Sequence, residues 1–110
     1  MTKGRFPVQE LEVTTVNDYG ETVNLKILEM FHNSGNKIGY SRRGVIMIVE
    51  GDGIFATNNP LTICQGPRKE LNDLINRIEI EKCPINVALP GERVGICLKK
   101  HKKPRLICGL

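Results

Sequence analysis

The sequence predicts a mainly β fold, a small closed barrel of six to seven strands with one short helix near residues 68–75. Three observations carry that reading. Apolar residues recur at every second position over short runs, the period of a strand with one buried face. Clusters of Gly, Asn, Asp, Ser and Pro separate these runs, as turns do. At 110 residues the chain is one domain with room for a core, and so many strands in so short a chain favour closure, which removes sheet edges.

Residues 1–7 read as a loose start and 8–110 as the single barrel domain. Val8 to Val16 carries Val8, Leu11, Val13 and Val16 among polar residues and reads as a strand. Asn17-Asp18-Tyr19-Gly20 is a turn, and Thr22 to Met30 follows as an antiparallel partner with Val23, Leu25, Ile27 and then Glu29 in one phase. His32 to Asn36 breaks the pattern, Lys37 to Tyr40 reads as a short strand, and Ser41-Arg42-Arg43-Gly44 turns again. Val45 to Val49 is the most apolar run and β-branched, hence a strand buried on both faces. Glu50 to Gly53 ends it, Ile54 to Ala56 is a short strand, and Asn58-Asn59-Pro60 turns into Leu61 to Cys64.

Gly66 to Ile78 supports two readings. Pro67 suits a first helical position, and Leu71, Leu74, Ile75 and Ile78 recur at helical spacing. Leu74, Asn76, Ile78 and Ile80 also fit one face of a strand. The reading adopted is a helix from about Arg68 to Leu74, then a strand through Ile80. Ile85 to Ala88 follows as a strand, and Pro90-Gly91 forces a reversal, Pro fixing φ and Gly free to take positive φ. Val94, Ile96 and Leu98 alternate with Arg93, Gly95 and Cys97 in a strand with one buried face. A basic turn and a final Leu106-Ile107-Cys108 complete the chain.

The charge is unevenly placed. No acidic residue follows Glu92, whereas Arg93, Lys99, Lys100, Lys102, Lys103 and Arg105 all do. Without those six, ten basic residues stand against twelve acidic ones, so the net charge of +4 belongs to the C-terminal segment. A local block of cations attracts polyanions, that is RNA, DNA or an acidic protein surface. Arg42 and Arg43 form a second small basic site. Phosphate contacts of this kind position a nucleic acid without reading its sequence.

Other classes of function are poorly served. Aromatic residues make up only 5% of the chain, with no Trp, which argues against a base-stacking platform. Cys64, Cys83, Cys97 and Cys108 stand 19, 14 and 11 residues apart with no Cys-x-x-Cys pair, so no metal site is expected. Each adjoins an apolar residue and reads as a reduced, buried thiol. No signal-peptide core or membrane span is present in the sequence, which points to the cytoplasm. His32 reads as a loop histidine, Glu79 and Glu81 as the solvent side of a strand, and Cys97 as a thiol beside cations whose field lowers its pKa only if it is exposed. The glycines at 35, 39, 44, 51 and 53 form no phosphate-cradling motif. No catalytic residue and no cofactor follow from this pattern.

The stretch from Ile75-Asn76-Arg77-Ile78-Glu79-Ile80 through Ala88-Leu89-Pro90-Gly91-Glu92-Arg93-Val94-Gly95-Ile96-Cys97-Leu98-Lys99 resembles the distal half of the β-barrel that follows the GTPase domain in translation factors of the elongation factor Tu group. The likeness covers about a quarter of the chain. It implies a closed barrel that packs on a GTPase domain and contacts tRNA or ribosomal RNA. The chain has no Gly-x-x-x-x-Gly-Lys-Ser/Thr, so GTP hydrolysis is not part of what is implied. A second stretch, Ser34-Gly35-Asn36-Lys37-Ile38-Gly39-Tyr40 leading to Gly44 through Gly51, together with Leu89-Pro90-Gly91-Glu92-Arg93-Val94, is similar to TRAM domains, small RNA-binding barrels; there the two pieces lie closer together. The expectation is a non-catalytic binding module that meets RNA or a ribonucleoprotein through Arg93, Lys99, Lys100, Lys102, Lys103 and Arg105, with Arg42 and Arg43 as helpers. The alternative is a subunit that docks on a larger protein, an enzyme or a GTPase, with no nucleic-acid role; no membrane is involved in either.

Overall fold

Alternating apolar side chains and tight turns build a closed antiparallel barrel in the computed structural model of the chain, which describes residues 11–30, 45–66 and 69–101 (Lys69 in its backbone only). The strands in these residues are β1 (Leu11–Val16), β2 (Thr22–Met30), β3 (Met47–Gly51), β4 (Phe55–Ala56), β5 (Pro60–Gln65), β6 (Lys69–Ile80), β7 (Cys83–Ile85), β8 (Val87–Ala88) and β9 (Arg93–Leu98). Six of them run β5-β1-β2-β3-β9-β6 around the barrel, and β6 closes it by pairing with β5. β7 adds to the free side of β6, and β4 with β8 forms a separate two-stranded ribbon. The expected closed barrel is present.

Turn chemistry sets the registers. Gly20 at φ +82° ends the turn between β1 and β2, where Gly20 N–H donates to Asn17 O at 2.9 Å. Gly91, also at φ +82°, lets Glu92 N–H reach Leu89 O at 3.1 Å, the geometry that the Pro90-Gly91 pair calls for. The Glu81–Lys82 reversal is less obvious. Both residues take positive φ, at 49° and 72°, in a two-residue hairpin between Ile80 and Cys83, a conformation more usual for Asn-Gly.

Inside the barrel Val13, Val23, Leu25, Met47, Val49, Leu61, Ile63, Ile75, Ile78, Val94, Ile96 and Leu98 are buried in one cluster. Phe55, also fully buried, lies against Gly51: a Cβ at that glycine would sit 2.8 Å from Phe55 Cε1. The ribbon of β4 and β8 thereby closes over the barrel interior, with Phe55 and Ala88 both at 0% exposure.

The expected helix near 68–75 is absent. Residues 69–80 form one strand, and its first half pairs with β5 while its second half pairs with β9 and β7. The register shifts by one residue between Ile75 and Arg77. Leu71 and Ile75 are buried on one phase and Ile78 on the other, so a β-bulge produces the spacing that imitates a helix. Leu74, which the helix would have buried, is only half-buried. Asn72, Asp73 and Asn76 are weak helix formers, and Ile75, Ile78 and Ile80 favour strands.

Three smaller expectations also change. In β2 a register shift between Ile27 and Glu29 moves the inward phase from Ile27 to Met30, leaving Glu29 exposed. β9 is buried on both faces rather than one, because Val45 covers Gly95, where an added Cβ would meet Val45 Cγ1 at 3.0 Å, and Cys97 is buried. The thiols are not uniformly buried either: Cys83 is exposed on β7 and Cys64 half-buried. The expected elements at Val8, Lys37–Tyr40 and Leu106–Cys108, with Arg42 and Arg43, lie outside the described residues.

Candidate polyanion-binding edge

β9 delivers the chain to its basic segment, and Asp73 of β6 fixes how it leaves. Asp73 occupies an inward position between Leu71 and Ile75, and its side chain is fully buried. An ionised carboxylate there requires donors on both oxygens. Leu74 N–H donates to Oδ1 at 2.6 Å, and Lys100 N–H lies 3.0 Å from Oδ1 and 3.1 Å from Oδ2. His101 N–H donates to Oδ2 at 2.8 Å, and His101 Nδ1 lies 2.6 Å from the same oxygen. Lys99 N–H extends the pairing by donating to Leu74 O at 3.0 Å.

Burial pushes the Asp73 carboxyl up, but the His101 ring and the N–H groups of Leu74, His101 and Lys100 together outweigh it and hold Asp73 below the ordinary carboxylate value. A carboxylate beside an imidazole is also the pattern that orients a general base. Here both oxygens are engaged by backbone N–H groups, so the carboxylate works as the clasp of a turn. The clasp ties Lys99, Lys100 and His101 to β6.

Lys99 and Lys100 are exposed, and neither pairs with an acidic group among the described residues. Their positive charge is therefore available to an anion. Arg93 is not brought to the same place. It opens β9 opposite Glu50, six residues from Lys99 and hence about 20 Å along an extended strand. Lys102, Lys103 and Arg105, like Arg42 and Arg43, lie outside the described residues.

Glu79 is a correction. Instead of facing solvent beside Glu81, it is buried, and its Oε2 accepts Arg77 Nε–H at 2.7 Å. Glu81 sits in the exposed hairpin turn. Among the described residues, no group of three His, Cys, Asp or Glu side chains is placed to hold a metal ion, and no helix is long and apolar enough to cross a membrane.

Asp73 and His101 were missed as functional residues. A signal existed: a lone aspartate on the apolar phase of a strand needs partners, and the first residues past β9 offer them. It could be seen only once residues 69–80 are read as a strand. A shallow groove of about 520 Å³ lies elsewhere, lined among others by Glu12, Asn24, Lys26, Glu50, Asp52 and Gly91. It does not include the lysine edge. No protein-family model, curated protein or solved structure matches this chain.

Proposed function

We propose that this domain is a non-catalytic module of the cytoplasm that binds RNA, alone or in a translation-related assembly, through the basic edge that begins at Lys99. The observation that carries the reading is the Asp73 clasp: a buried carboxylate holds the exit of β9 while Lys99 and Lys100 stay exposed and unpaired among the described residues. A free-swinging tail would supply the same charge, but it would lose more conformational entropy on binding. The closed six-stranded barrel is also the architecture expected from the likeness to the translation-factor barrel. That likeness supports RNA over other polyanions.

The test is an anisotropy titration of a labelled single-stranded RNA at several salt concentrations. If the edge's five cations, Lys99, Lys100, Lys102, Lys103 and Arg105, engage phosphates, the log–log salt slope is about −3.5, at roughly 0.7 per contact. A slope near zero, or no binding at low salt, contradicts the reading. Recovery of a stoichiometric protein from native extract, unaffected by RNase and free of nucleic acid, would favour the docking alternative instead.

A further inference from the structure

A second surface of opposite character lies on three connections: residues 17–21 between β1 and β2, 52–59 around β4, and 86–92 around β8. Asparagine side chains and ladder bonds join them. Asn17 Nδ2 donates to Ile54 O at 3.0 Å, and Asn59 Nδ2 donates to Asp18 Oδ1 at 2.9 Å. Ala56 pairs with Val87, and Thr57 N–H donates to Asn86 O at 3.1 Å. Asn17 and Asn59 are both buried, so the three connections form one hydrogen-bonded platform.

That platform exposes large apolar side chains beside its polar ones. Tyr19 is 77% exposed, Leu89 50% and Val87 48%, and Val16, immediately before the first connection, is 39% exposed. These are the exposed large hydrophobic residues of the described chain. Isolated exposed hydrophobics are ordinary, but their concentration on adjoining loops marks an interaction surface.

Charge identifies the occupant. The three connections carry Asp18, Glu21, Asp52 and Glu92 and contain no Lys or Arg. Each carboxylate accepts from neutral donors only: Asn59 for Asp18, Asn17 for Glu21, Asn24 for Asp52 and Leu89 N–H for Glu92. None pairs with a cation among the described residues. The groove that adjoins the platform through Asp52 and Gly91 is lined by Glu12, Glu50 and Asp52 against one cation, Lys26, and so is acidic on balance. Phosphates are repelled here, and a partner rich in carboxylates would be too.

We infer that this platform docks a protein partner that presents lysine or arginine beside aliphatic side chains. The inference does not depend on RNA binding at the lysine edge. The pre-ordered loops reduce the entropy lost on docking, Tyr19 and Leu89 supply the anchors, and the carboxylate rim selects the sign of the partner.

The experiment is an amide NMR titration of the full chain with three synthetic peptides of equal length, built from Lys and Leu, Lys and Ser, or Glu and Leu. The Lys–Leu peptide is expected to shift amides of 17–21, 52–59 and 86–92. The Lys–Ser and Glu–Leu peptides bind at least about tenfold more weakly, the loss expected for one interface anchor. Tyr19→Ser with Leu89→Ser weakens the Lys–Leu peptide by a similar factor, while the barrel amides keep their positions as proof of folding. Asp18→Asn with Glu92→Gln, which keeps the acceptor oxygens, flattens the salt dependence of that binding. Shifts centred elsewhere, equal binding by either control peptide, or sedimentation as a dimer that protects Tyr19 would overturn the inference.

Discussion

Asp73→Ala is expected to lower the unfolding free energy by about 3–5 kcal/mol, the scale of breaking a buried charge interaction. The side chain is fully buried, and it accepts three backbone N–H groups as well as facing the His101 ring. Alanine leaves those donors without partners at the seam where β9 meets β6. Asp73→Asn keeps an acceptor oxygen and loses about 1–3 kcal/mol, the cost of donors left partly unmet. Urea denaturation measures both. Stability unchanged in Asp73→Ala would mean that the clasp does not hold the seam.

The same residue sets a pH dependence. Its folded pKa lies below the ordinary value of 3.8, so its contribution is fully present above that value and disappears as pH falls through the lower folded pKa. The stability gap between the native chain and Asp73→Asn is therefore expected to be constant near neutrality and to shrink in strong acid. A gap that widened on acidification would reverse the assigned direction.

Phe55→Ala is the second large effect, with an expected loss of about 3–5 kcal/mol for an aromatic core truncation. Phe55 is at 0% exposure on the two-residue β4 and packs on Gly51. Hydrogen bonds such as Asn17 Nδ2 to Ile54 O and Thr57 N–H to Asn86 O also tie the ribbon, but Phe55 is the one fully buried side chain of β4. Its removal opens a cavity and loosens the loops that carry Val87 and Leu89. Thermal unfolding gives the stability loss, and a cost below about 1 kcal/mol would show that the ribbon is not anchored there.

The barrel was legible from turns and period-2 patterning, because Asn17–Gly20, Asn58–Pro60 and Pro90–Gly91 each carry residues whose backbone or side-chain chemistry makes a reversal. What escaped was every place where the register slips. The extra residue at Asn76 shifts the phase of β6 and turns a strand into an apparent helix, and the extra residue at Leu28 transfers burial from Ile27 to Met30. Bulges leave no compositional mark, so alternation alone cannot place them. The Glu81–Lys82 hairpin was hidden for a related reason, lacking the Asn or Gly its positive φ angles favour.

At the candidate site the chain shows its cations but not its geometry. Lys99 and Lys100 are exposed as the charge pattern suggested, whereas Arg93, adjacent in the count of basic residues, stands at the far end of β9. Linear charge runs do not separate the two ends of a strand. Asp73 lies 28 residues before His101, and only the pairing of β6 with β9 brings them together.

The most direct test of the basic edge compares salt slopes for RNA binding between the native chain and Lys99→Gln/Lys100→Gln. Two lost phosphate contacts reduce the slope by about 1.4 on single-stranded RNA, while a control with Lys26→Gln/Lys82→Gln, equal in net charge, keeps the native slope. Equal slopes for the native chain and the edge variant, or an equal reduction in the control, would contradict a binding surface at Lys99 and Lys100.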